Sequence, residues 1–247
     1  MMPRRVRNIP MKKLIPNMIT CGNMLCGMLS LVLSFHGAFV PAAWLVYMAV
    51  VFDFLDGKMA RKLGGISDFG SELDSLADVI SFGVAPAMIF YGVYLKGFLG
   101  VGGALAAAFF AVCGALRLAR FNVQHSSGPF EGLPIPGAGH FLVSFVVAGW
   151  MLHPLVAVIA ALGTGVLMIS NVPFGNLKTL RKGYLNRGRA VFLWGLAFTL
   201  IIVLREKAPL AGISIYLVSG FAKVDWGKWL SLAPEEEEPE PESDLHI

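Results

Sequence analysis

From residue 17 to residue 222 the sequence is a succession of apolar stretches separated by short polar links. A helix of about 20 apolar residues crosses the hydrocarbon layer of a bilayer, and in lipid only helices and closed barrels satisfy their own backbone. Eight spans are expected, at 17–36, 40–61, 70–95, 98–121, 137–152, 154–172, 188–204 and 208–222. The last four are the shorter ones. The fifth and sixth, joined through His153-Pro154, could instead form a re-entrant pair. Pro41, Pro136 and Pro154 suit helix first turns, where a missing N–H costs nothing. The chain is 56% hydrophobic and 15% charged, against about 45–50% and about 25% in soluble domains. The fold class expected is therefore an all-α, polytopic membrane bundle.

Charge orients the spans. With the N-terminus in the cytoplasm, seventeen of the twenty Lys and Arg residues fall on the cytoplasmic side, and only Lys96, Arg205 and Lys207 fall outside. That is the bias membrane insertion follows. No cleavable leader is expected, since the basic start runs into a full-length span. Residues 1–15 are expected to be a basic cytoplasmic segment, with a topology signal or an interfacial anchor as its role. Residues 16–223 form the membrane domain, and 224–247 form an acidic cytoplasmic tail. Seven of the sixteen acidic residues lie in 235–244, a run unable to bury apolar surface. The basic loop 178–189 is read mainly as an orientation signal. Nucleic acid is not an expected partner.

The nine remaining acidic residues are distributed unevenly. Six of them lie between Asp53 and Asp78. Asp53, Asp56 and Ala60 are spaced i, i+3, i+7, and Gly70, Asp74 and Asp78 are spaced i, i+4, i+8. Each set shares one helix face. Eight residues separate Arg61 from Gly70, enough for a tight reversal, so the two helices can run antiparallel with four aspartates converging. Carboxylates at close quarters repel, and more so in a membrane. A divalent cation resolves the conflict, and hard oxygen ligands suit Mg²⁺ or Mn²⁺. Gly57, Ala60 and Gly70 leave that surface almost free of side chains, allowing a ligand or helix to approach closely. For a single aspartate, snorkelling or pairing with Lys58, Arg61 or Lys62 is an equal alternative; for four in phase it is a poor one. Glu72 lies about 200° around the helix from Asp74, and it and Asp68 read as pairing residues. Ser71 and Ser75 also fall outside the phase of the aspartates. Cys21, Cys26 and Cys113 read as small buried hydrophobes, and no histidine pair has metal spacing.

The stretch from Asp53 to Asp78 fits D-x-x-D-G-x-x-A-R, eight residues, G-x-x-x-D-x-x-x-D at every fixed position. It resembles the signature of the CDP-alcohol phosphatidyltransferase family. Further stretches look like the phosphatidylserine synthase branch: Pro16-Asn17 to Asn23, Ser81 to Pro86, Arg117 to Asn122, and Gly132 to Gly137. The resemblance covers about residues 12–175 and implies a six-helix core, here with two further spans, working as a homodimer with a cytoplasmic site. It implies that Asp53, Asp56, Asp74 and Asp78 hold metal. Asp78 also takes the acceptor's proton. Gly57, Ala60 and Gly70 frame the cytidine and diphosphate, with Arg61 beside them.

The substrates so implied are CDP-diacylglycerol and L-serine, within membrane lipid of a bacterial or archaeal cell. No covalent nucleophile is in phase with the aspartates, so direct displacement is expected. Arg117 and Arg120, one turn apart, are candidates for the acceptor carboxylate, with a positive-inside or lipid-phosphate role as the equal alternative. Asn122 and the Pro134–Pro136 loop are candidates to complete that pocket. Thr20 and Asn23 are candidate nucleotide contacts, with helix packing as their alternative. Two rival functions stand beside this one. A sister enzyme would use glycerol 3-phosphate or an inositol phosphate as acceptor. A metal-ion transporter would show repeats and a midplane site, whereas Asp56 lies six residues, about 9 Å, from Lys62.

Overall fold

The computed structural model describes residues 11–64, 67–97, 100–124, 132–172, 174, 186–222 and 229–230. The acidic tail, most of the basic loop, His125 and the start of the basic N-terminal segment lie outside the described residues. Every described element is helical. In chain order these are α1 (Met11–Phe35), α2 (Phe39–Leu63), α3 (Asp68–Leu95), α4 (Val101–Gln124), α5 (Ile135–Val147), α6 (Pro154–Ile169), α7 (Arg187–Leu204) and α8 (Ala208–Phe221). A single turn, Arg205–Lys207, joins the last two.

The eight expected spans each fall on one of these helices. Among the described residues, the first four helices are long and apolar enough to cross a membrane, over Leu14–Phe35, Phe39–Leu63, Asp68–Leu95 and Val101–Val123. α5 and α6 are shorter, at 13 and 16 residues. Large apolar side chains cover the outside of the bundle, among them Leu25, Phe54, Leu105, Ile159 and Phe198, each more than half exposed. Such a continuous apolar surface is unfavourable in water and suits lipid.

α3 is the most buried of the four spans and organises the rest. Pro86 has no N–H to return to the turn before it. The helix widens just before it, where Ala85 N–H reaches back five residues to the Ile80 carbonyl, and again at the end of the helix, where Lys96 N–H does the same to Tyr91. Widened turns change the facing of everything that follows and recur near functional sites. Here the first begins at Val79, one residue beyond Asp78, and turns Ser81, Phe82 and Gly83 into the core.

Small residues let α3 sit close to its neighbours. A Cβ on Gly27 of α1 would lie 2.5 Å from Ser81 Oγ and 2.8 Å from Ser81 Cα, and one on Gly139 of α5 would lie 2.6 Å from the Phe82 carbonyl oxygen. α2 turns Ala42, Ala43, Val46 and Ala49 inward, all fully buried. This is how helices associate in lipid, where close backbone packing replaces the hydrophobic drive.

The α2–α3 reversal is set by its caps. Gly64 is left-handed at φ 60° and returns its N–H to the Ala60 carbonyl. Ser67 caps α3 by accepting from Gly70 N–H at 3.1 Å. At the far end of α3, the Tyr94 hydroxyl donates to the Trp150 carbonyl at 2.7 Å, tying α3 to the α5–α6 link. There His153 accepts from Leu155 N–H and so caps α6.

Candidate active site

Asp53 and Asp56 come from the last turns of α2, and Asp74 from the second turn of α3. One carboxylate oxygen from each lies within 4.8 Å of the other two. Asp56 Oδ2 and Asp74 Oδ1 are buried and make no hydrogen bond. Buried polar atoms are almost always partnered, so oxygens left bare beside a third carboxylate fit a hard divalent cation. The donor set is all oxygen, as Mg²⁺ and Mn²⁺ prefer.

Asp78 lies next to that trio, one turn further along α3 and 7% exposed. Asn23 Nδ2 donates to its Oδ1 at 3.2 Å. Asn23 is itself fully buried, and its backbone carbonyl accepts from Ser81 Oγ at 3.0 Å. The close approach at Gly27 is what brings Ser81 within that reach.

Beside the carboxylates is a pocket of about 180 Å³ formed by α1, the end of α2 and the start of α3. Thr20, Gly57, Ala60, Arg61 and Gly70, all expected at a nucleotide site, line it together with Asp56 and Asp74. The Thr20 hydroxyl donates to the Pro16 carbonyl at 3.1 Å. Beyond Gly57 only the Arg61 guanidinium lies near, 3.5 Å from where a Cβ would be, so the glycine keeps that wall open. A Cβ on Gly70 would meet Asn17 Oδ1 at 3.0 Å and Ser67 Oγ at 3.1 Å. Asn23 lies behind the pocket, against Asp78.

Three polar lining residues were not among the expected site residues: Asn17, Ser67 and Ser71. Asn17 and Thr20 are spaced i, i+3 on α1, a signal that places both on one face. Ser67 is signalled by its capping position ahead of Gly70. Ser71, expected outside the aspartate phase, borders the pocket because the first turn of α3 is itself part of the wall. Ser75 is turned away, with its hydroxyl on the Ser71 carbonyl at 3.1 Å.

The candidate acceptor residues separate. Arg117 faces inward: its Nε is buried without a hydrogen-bond partner. Arg120 instead reaches Asn171, with both terminal nitrogens 3.2 Å from Oδ1. Asn122 Nδ2 donates to Ser75 Oγ at 3.1 Å and reaches Glu72 Oε2 at 3.4 Å, joining α4 to the outer face of α3. Glu72 is thus a pairing residue. Of the described histidines, none joins the carboxylates. His140 packs edge-on against Tyr47, with ring centroids 4.4 Å apart, and His36 bonds the Val32 carbonyl. All three cysteines are free, Cys26 and Cys113 buried and Cys21 exposed.

Fold and site together define a helical membrane protein with a carboxylate-walled pocket between its first three helices. Residues 13–177 match the family model for CDP-alcohol phosphatidyltransferase; the chain belongs to that family. It is 39% identical over 178 residues to the CDP-diacylglycerol–serine O-phosphatidyltransferase of Bacillus subtilis, covering 71% of this chain and 97% of that one. It is 36% identical over 217 residues to the enzyme of the same name from Helicobacter pylori, covering 83% and 86%. Among solved structures it is similar to the apo form of Mycobacterium tuberculosis phosphatidylinositol phosphate synthase, with TM-score 0.46 and 21% identity over 64% of this chain and 83% of that one.

Proposed function

We propose that this chain transfers the phosphatidyl group of CDP-diacylglycerol to the hydroxyl of L-serine, giving phosphatidylserine and CMP. The observation that carries the reading is the convergence of Asp53, Asp56 and Asp74 within 4.8 Å beside an open pocket, in a chain whose relatives bear that enzyme's name. The family uses a divalent metal; Mg²⁺ or Mn²⁺ is the ion proposed here, held by the three aspartates with Asp78 next to them. When bound, the ion supplies charge neutralisation at the diphosphate and at the departing CMP.

The protein's own residues do the rest. The capped start of α3 presents a helix N-terminus to the pocket, a natural seat for phosphate oxygens, and Arg61 adds a cation there. Gly57, Ala60 and Gly70 leave room for the nucleotide, with Thr20 on the facing wall. Asp78 accepts the serine hydroxyl proton as the oxygen attacks the diacylglycerol-bearing phosphorus. One P–O bond forms, the P–O bond to CMP breaks, and the proton stays on Asp78. Asn23 holds Oδ1 of that carboxylate, which leaves Oδ2 to the acceptor.

The positive-inside bias supports a cytoplasmic site and cytoplasmic termini in a bacterial or archaeal cell membrane. It also supports eight spans, with residues 16–223 as the catalytic domain between a basic segment and an acidic tail. The resemblance to the family supports a homodimer, and cross-linking in native membranes tests it. The function is tested by incubating purified chain with CDP-diacylglycerol and Mn²⁺ or Mg²⁺, offering serine, glycerol 3-phosphate or inositol phosphate, and measuring CMP. Serine-dependent release is expected. Release with a phosphorylated acceptor only would replace serine, and none with any acceptor would end the proposal.

A further inference from the structure

α8 lies beyond the residues that the family model matches, 13–177, yet it reaches the inner end of the site. The first turn of α5 is the bridge. On one side, a Cβ on Gly114 of α4 would lie 2.6 Å from Ile135 Cδ1, so α4 presses on that turn one helical turn before Arg117. On the other side, a Cβ on Gly137 would lie 3.8 Å from Tyr216 Cε1. Arg117 and Tyr216 therefore flank the same short segment of α5, where Ile135 is fully buried.

Tyr216 is fixed there by packing. Its ring centroid is 5.9 Å from that of Phe174, and the turn below it is held by Ser219 Oγ donating to the Tyr216 carbonyl at 2.7 Å. Arg117 Nε is buried and makes no hydrogen bond. A guanidinium taken out of water calls for an anion, and its planar array of donors suits a carboxylate. The Asp78 carboxylate is already held by Asn23 and, in the proposed mechanism, faces the reaction.

We infer that Tyr216 is a specificity-determining residue for the acceptor: its hydroxyl and the Arg117 guanidinium together bind the carboxylate of an amino-acid acceptor. This rests on serine being the acceptor. The arrangement seats the carboxylate between α4 and α8, with the acceptor hydroxyl directed to Asp78.

The test uses the full chain in detergent with CDP-diacylglycerol and Mn²⁺, comparing wild type, Tyr216→Phe and Tyr216→Leu. For Tyr216→Phe, KM for serine is expected to rise about tenfold, the usual order for losing a hydrogen bond to a charged group, with KM for CDP-diacylglycerol and kcat unchanged. Preference for serine over serinamide, which lacks the carboxylate, should fall by the same factor. Tyr216→Leu reads the packing contribution through its melting temperature. An unchanged serine KM in Tyr216→Phe overturns the inference, as does an equal rise in both KM values. Wild type that releases no CMP with serine overturns the acceptor assignment, and this inference with it.

Discussion

The side-chain amide of Asn23 donates a 3.2 Å hydrogen bond to Oδ1 of Asp78, from a helix fifty-five positions earlier in the chain. Both groups are buried, so neither can exchange this contact for water. Partners of this kind, which orient a reacting group without touching substrate, typically contribute about 10–100-fold to activity. Asn23→Ala should lower kcat by about that factor and leave KM for CDP-diacylglycerol little changed. Asn23→Asp should lose more, because it sets a carboxylate against Asp78. A wild-type kcat in Asn23→Ala would mean that Asp78 needs no such support.

The base role proposed for Asp78 predicts that binding and turnover separate there. Asp78 lies outside the trio whose oxygens converge, and the proposed mechanism gives it the acceptor's proton. Asp78→Asn should abolish CMP release yet retain measurable binding of CDP-diacylglycerol. Equal loss of both would contradict its role as base.

The trio predicts stability changes of opposite sign with and without metal. Without metal, Asp53, Asp56 and Asp74 repel one another across 4.8 Å or less, and two of their oxygens are buried without partners. Asp56→Asn should therefore melt higher than wild type in EDTA. Adding Mn²⁺ should raise the wild type, since a ligand of the folded state stabilises it by mass action, and should raise the variant less. Equal stabilisation of both by Mn²⁺ would remove the trio as the metal site.

Gly27 tests the helix contact behind the site. A side chain there would run into the backbone of Ser81 at 2.8 Å, which cannot give way as a flexible side chain can. Gly27→Val should cost about 1–3 kcal/mol, as overpacking does, and should also lower kcat by displacing Ser81 from the Asn23 carbonyl. Thermal unfolding in detergent and CMP release check the two effects. Gly163, with nothing within 4 Å of its Cβ position, is the control: Gly163→Ala should be tolerated.

Ser67 joins the cap of α3 to the pocket wall. Ser67→Ala removes the acceptor for Gly70 N–H and should cost about 1 kcal/mol of stability. KM for CDP-diacylglycerol should rise as the helix N-terminus loses its orientation, while KM for serine stays put.

The sequence determined the helices and their faces. Apolar length set eight segments, and spacing of three and four residues put Asp53 with Asp56 and Asp74 with Asp78, because helical period is a local property. Gly57, Ala60 and Gly70 were legible as a bare surface for the same reason. What local period cannot give is the depth and rotation of one helix against another. That was decided by contacts such as Gly27 on Ser81 and Gly114 on Ile135, and by the widened turns around Pro86. These contacts leave Asp78 next to, but outside, the trio of converging carboxylates and give Asn23 to it. They also turn Arg117 inward while Arg120 goes to Asn171. Tyr216 is the extreme case: no pattern within α8 marks it, since its partners lie on α4 and α5, and only close packing of those helices in three dimensions brings it to the site.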